Sequence, residues 1–279
     1  MTEAHAAEMT RAAKDRGVTT IVGFSYLGNP GVQFARQLIE DGALGEIWSI
    51  SGRFVVDANA DPTTPRTWHY ERGKAGLGAL GDIGSHVISI LRFLGGDLNS
   101  VFADFRTVVK ERPEARGALS YGSKAEEGAA LLPVENEDAA FVLGRFRSGA
   151  SATIEASRVA NGHAFDLALE VTGSKGSLRF EQQDSYKVDL FLRGEGTHAG
   201  TTTVTLGPSH PNYAAFWPFP GVTIGLHELK AVEIRNFFAA ILAGGSAYPS
   251  FEEGWRVTQV LEAASRSAGT GRWVDVAGD

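Results

Sequence analysis

The apolar residues change their period part-way along the chain. Through the first third they recur every three to four positions, the spacing of an amphipathic helix; from Asn99 onward they largely alternate, as strands with one covered face do. Residues 2–16 therefore read as a helix with Thr2 as N-cap and Gly17 as stop, followed by a short strand, TTIVGF. In NPGVQFARQLIEDGALG, Asn29 and Pro30 suit the cap and first turn. Phe34, Leu38 and Ile39 make the apolar face, and Gly42 ends the helix. EIWSISGRFVVD alternates as a strand, and DPTTPRTWHYERGKAG reads as an ordered surface loop. Residues 80–94 form a helix whose buried stripe is Ile83, Val87, Ile90, Leu91 and Leu94, closed by Gly95-Gly96.

The second pattern comprises seven short runs: SVFADFRTVV, DAAFVLGRF, ASATIEASRV, LALEVTGS, GSLRFE, YKVDLFLR and TTTVTL. Links of hairpin length, RSGA and GSKG, make them a mainly antiparallel sheet. The Gly/Glu/Ala-rich segment 111–133 reads as a loop, and two helices, 226–243 and 252–268, precede a last strand RWVDV. The expectation is an α+β fold: one large, open, predominantly antiparallel sheet with helices on one face. The opening helix and strand cannot bury a core of their own, so residues 1–24 read as the remnant of a further domain and residues 25–279 as the main one.

At 43% hydrophobic and 21% charged, 279 residues suffice for a large core. A formal charge of −7 without a basic cluster argues against nucleic acid. The absence of cysteine excludes disulfides, thiolate nucleophiles and iron-sulfur clusters, and fits a cytoplasmic protein. No uninterrupted apolar run reaches about 18 residues, so no membrane partner is expected.

Residues 76–81 spell GLGALG, a literal match to the dinucleotide fingerprint G-x-G-x-x-G. The mechanism of that motif needs a strand running straight into the first glycine and an acidic residue ending the next strand. The preceding strand ends near Asp57, and Asp97 precedes its strand instead of ending it. The glycines are expected instead to let a loop and helix start press against a ligand or another backbone.

Asp82 and His86, four apart, share one helical face with Ser89 and Phe93. A carboxylate beside an imidazole suits proton transfer near neutral pH. A hydrogen-bonded core-edge histidine, or a metal site, would show the same spacing.

The stretch GALGDIGSHVISILRFL resembles the G-x-L-x-D-x-G-x-H motif of the glucose-fructose oxidoreductase, inositol dehydrogenase and rhizopine-catabolism (Gfo/Idh/MocA) family. VGFSYLGNPGVQFARQLIEDGALGEI, EVTGSKGSLRFE and YPSFEEGWRVTQVLEAASRSAGTGRWVDV resemble it too, over essentially the whole chain. The resemblance implies an oxidoreductase using NAD or NADP on a CH–OH group of a sugar or cyclitol. It implies His86 as acid/base and Asp82 as the residue orienting substrate and histidine. Arg66, Trp68, His163 and Tyr26 correspond to positions near the substrate, whereas capping alone explains Asn29. It also implies a homodimer or homotetramer built through the open sheet. The family's Glu-Lys-Pro segment with its lysine has no counterpart here, and the cofactor-binding residues are unknown. Residues 1–24 thus correspond to the end of a Rossmann domain whose first 100 to 130 residues, roughly one domain, would lie upstream. The chain alone is expected to be inactive; a catalytically silent carbohydrate-binding or assembly module is the competing reading.

Overall fold

The computed structural model describes residues 2–115, 124–194 and 199–277. Its helices are α1 (Glu3–Asp15), α2 (Pro30–Glu40), a single turn α3 (Arg72–Ala75), α4 (Ser85–Gly95), α5 (Leu226–Leu242) and α6 (Phe251–Thr270). Local chemistry sets their ends. The Asn29 Oδ1 accepts from the Gly31 N–H at 2.8 Å with Pro30 in the first turn, and the Thr2 hydroxyl accepts from the His5 N–H at 3.3 Å.

The strands are β1 (Ile47–Val55), β2 (Leu98–Arg106), β3 (Glu111–Pro113), β4 (Leu131–Pro133), β5 (Ala139–Phe146), β6 (Ser151–Ser157), β7 (Asp166–Gly173), β8 (Gly176–Glu181), β9 (Lys187–Leu192), β10 (Thr201–Thr205) and β11 (Val274–Asp275). Nine of them make one sheet in the order β10-β9-β8-β7-β1-β6-β5-β2-β11, antiparallel throughout except between β1 and β6. The expected α+β architecture is therefore present. β1 enters the middle, with Ile50 opposite Val171 of β7 on one side and Ala152 of β6 on the other.

Helices cover one face. Ile50, Phe54, Val142, Ile154, Leu169, Val171 and Leu178 turn inward into one core with Val87, Leu91 and Leu94 of α4, each such buried apolar side chain contributing about 1.5–3 kcal/mol. Gly52 allows the closest approach: a Cβ there would lie 2.6 Å from Val87 and 2.8 Å from Leu91. The other face carries Arg53, Phe141, Leu143, Thr153, Glu155, Glu170 and Arg179, with Phe141 and Leu143 about half exposed.

Three local expectations are corrected. TTIVGF is extended but forms no strand, because no strand lies alongside it among the described residues; its Val22 N–H donates instead to the Pro249 carbonyl. The helix expected from residue 80 opens as a wide π-turn, Leu80–Gly84, before the regular α4. Segment 111–133 is not all loop, since β3 and β4 pair as a ribbon at its two ends; residues 116–123 of it lie outside the described residues. Residues 72–95 are long and apolar enough overall to pass for a membrane span, but most of that stretch is buried within this core. α1 docks on α6, where the Glu3 N–H donates to Glu262 and the Thr10 hydroxyl to the Phe251 carbonyl.

Candidate active site

Of the fingerprint-like glycines, Gly78 serves close backbone packing. The Ala79 N–H donates to the Glu137 carbonyl at 3.0 Å, and the Leu80 N–H donates to the Glu137 carboxylate at 3.1 Å. Gly78 is the reason these groups can meet, because a Cβ there would lie 2.0 Å from the Glu137 carbonyl oxygen. Glu137 is buried, and burial pushes its carboxyl above the usual range. A helix start that an internal carboxylate already caps does not fit a dinucleotide pyrophosphate, which would bring a second negative charge to the same amides.

One turn into this helix, His86 is ringed by aromatics. The rings of Tyr26, Phe24 and Phe54 lie 5.1, 5.5 and 6.3 Å from it, the first two edge to face. Its Nδ1 is sealed and has no hydrogen-bond partner among the described residues, so the accessible part of this half-buried side chain lies away from Nδ1. Burial lowers its pKa to about 4, helped by the positive charge of Lys230, and the ring is neutral at pH 7. The Lys230 ammonium is anchored by the Gly23 carbonyl at 3.1 Å and Glu233 at 3.3 Å. Tyr26, from the 25–28 turn, is itself pushed up to about 12 by burial and stays protonated. Asp82 makes no hydrogen bond to His86 among the described residues; its exposed side chain opens into a cavity of about 590 Å³.

That cavity gathers Asp82 with Trp68, Arg158, Thr258 and Leu261. Trp68 is half exposed and stacks on His69 at 3.8 Å. The other sequence candidates lie elsewhere. Arg66 is spent within its loop, donating to the Pro133 carbonyl and pairing with Glu71 and Glu135 at 3.3 and 2.9 Å. His163 places Nδ1 2.9 Å from the carboxylate of Asp166, which accepts from it and which Arg53 also grips. Gly52 and Phe54 face the helices, so Arg53 and its partners lie on the open face, across the sheet from His86. The structure thus joins Tyr26 to His86 and Trp68 to Asp82, while neither Arg66 nor His163 lines the cavity.

Sequence reasoning missed the residues that hold these pieces. Asp138 is fully buried and pairs with Arg158 at 2.9 Å. The guanidinium groups of Arg158 and Arg112 lie 4.5 and 4.7 Å from the Tyr70 ring. The only sign in the sequence is ENED, a polar run just before an alternating strand, which looks like any solvated turn.

Comparison with known proteins bears on the family and the fold. Residues 32–179 match the model of the GFO/IDH/MocA C-terminal domain. Levoglucosan dehydrogenase of Pseudarthrobacter phenanthrenivorans is 38% identical over 96% of this chain and 69% of its own length. Inositol 2-dehydrogenase of Rhizobium meliloti is 26% identical over 96% of this chain and 68% of its own. The solved complex of levoglucosan dehydrogenase with NADH and levoglucosan superposes with a TM-score of 0.91 at 35% identity, over 99% of this chain and 71% of that one. Levoglucosan dehydrogenase is solved with NADH bound; fold, motif and relatives agree, and the chain belongs to the Gfo/Idh/MocA family of oxidoreductases.

Proposed function

We propose that this chain is the sugar- or cyclitol-binding part of an NAD(P)-dependent dehydrogenase acting on a CH–OH group, with His86 as the proton-transfer residue. One observation carries the reading: a neutral, half-sheltered imidazole stands one helical turn from a carboxylate that opens into a cavity with an aromatic wall. With its hydrogen on the sealed Nδ1, the neutral ring accepts a hydroxyl proton at Nε2 and becomes imidazolium; in the reverse direction the imidazolium returns that proton from Nε2 to the substrate oxygen and is neutral again. The same nitrogen then serves both directions of the reaction. Asp82 accepts hydrogen bonds from neighbouring hydroxyls, and Trp68 offers its face to the apolar side of a ring. These residues supply the proton half of the chemistry.

The hydride half requires a nicotinamide, and the 76–81 segment does not provide its phosphate cradle. Turnover is therefore assigned to this chain together with a nucleotide-binding domain, of which residues 1–24 are the closing part. The chain alone binds sugar without turning it over. The half-exposed Phe141 and Leu143, amid mixed charges on the open face, suit a second copy of the sheet, giving a homodimer or homotetramer.

The test is calorimetric titration of the chain with levoglucosan, myo-inositol and NADH separately. Binding of a sugar, lost in His86→Ala and weakened in Asp82→Asn, is expected, with no heat from NADH. Absence of any sugar binding would overturn the reading. Sugar binding that His86→Ala leaves intact would favour a binding module without catalysis.

A further inference from the structure

The residues that flank the cavity come from separate parts of the chain, and four consecutive residues, 135–138, bond to three of those parts: the loop of His69 and Arg72, the helix start at Ala79 and Leu80, and Arg158. Glu135 accepts from the Arg72 N–H and from Arg66, both at 2.9 Å, and so holds the loop that carries Trp68. Asn136 donates to the His69 carbonyl at 2.8 Å and accepts from Arg158 at 2.9 Å. Glu137 takes the Leu80 N–H at the head of the helix bearing Asp82 and His86. Asp138 pairs with Arg158 and accepts the Val108 and Val109 N–H groups at 2.8 and 2.9 Å, fixing the run to the end of β2. Asn136, Glu137 and Asp138 are all buried. Buried polar groups of this kind carry a desolvation cost unless every partner is in place, which ties the position of each partner to the others.

We propose that residues 135–138 form the positioning hub of the site, and that Glu137 is the positioning residue for the helix of Asp82 and His86. The inference rests on the function proposed above for its role in sugar binding, but not for its effect on His86. The N–H groups at the start of the π-turn have no partner within the helix, and here those of Ala79 and Leu80 are held by the Glu137 carbonyl and carboxylate. An acceptor at that point fixes where Asp82 opens into the cavity and how deeply His86 lies among Tyr26, Phe24 and Phe54.

The experiment compares Glu137→Ala, Glu137→Gln and a core control, Leu178→Ala, which lies under β8 away from the hub. The first readout is the titration of the His86 imidazole by NMR in the free chain, assigned with His86→Gln. The wild type and Glu137→Gln, which keeps an acceptor for the Leu80 N–H, should titrate near 4. Glu137→Ala should move toward the 6.5 of an open ring, and Leu178→Ala should stay low. The second readout is levoglucosan affinity, expected to fall tenfold or more in Glu137→Ala alone. A low titration in Glu137→Ala overturns the hub whatever the sugar result. So does an equal shift in Glu137→Gln, or in Leu178→Ala. If no variant and no wild-type chain binds sugar while the titrations follow the pattern, the proposed function fails and the hub stands.

Discussion

The rings of Tyr26 and His86 meet edge to face, 5.1 Å apart at an interplanar angle of 81°. Tyr26 comes from the turn before α2 and His86 from the first turn of α4, so this contact ties the apolar shelter of the imidazole to the 25–28 turn.

That shelter has a pH signature. The folded ring titrates at about 4 and an unfolded one near 6.5, so between these values the unfolded chain binds more protons. Stability should be full above about pH 6.5 and decline as pH falls through that window, by up to about 3 kcal/mol from this group. Urea denaturation of the wild type and His86→Gln at pH 7 and pH 4.5 checks it: the wild type should lose more stability than the variant.

Within the glycine-rich stretch, the effect of a methyl group depends on position. Gly78→Ala drives a Cβ onto the Glu137 carbonyl and should cost about 1–3 kcal/mol or more. Gly73→Ala, in the α3 turn with nothing within 4 Å, should be neutral or stabilising by about 0.5–1 kcal/mol. Melting curves of the two variants give opposite shifts.

Arg158→Met should remove about 3–5 kcal/mol, because it strands the fully buried Asp138 carboxylate without its cation and takes one guanidinium from the Tyr70 ring. The equilibrium denaturation midpoint reads the loss. The double variant Arg158→Met/Asp138→Asn should recover part of it.

On the open face, Phe141→Glu together with Leu143→Glu should convert a self-associated chain to monomer in sedimentation velocity, with little change in far-UV circular dichroism. An unchanged sedimentation coefficient would overturn association through this face.

The sheet was legible because its strands alternate cleanly. DAAFVLGRF and ASATIEASRV place Val142, Phe146 and Ile154 inward just as their spacing requires. TTIVGF carries the same β-branched texture but no adjoining strand, and propensity without a neighbour does not make a ladder. In the candidate site, Asp82 and His86 stood out because one side chain type is chemically uncommon on a core helix. Glu137 and Asp138 did not, since nothing local separates a buried carboxylate from a solvated one; their partners lie 20 to 57 residues away. The ion pairs of Arg66 with Glu135 and of His163 with Asp166 were hidden for the same reason, as they form only in three dimensions.

The placement of β1 bears on how the molecule assembles. The strands β7 to β10 form one meander and β5 with β6 and β2 another, and the pieces are joined side by side only through a strand made some hundred residues earlier, parallel to β6 and antiparallel to β7. Such pairings close long loops before they gain contacts, so the seam should be the slow step of folding. Each meander can form locally, but the floor beneath α4, and with it the setting of His86, exists only once the seam has closed.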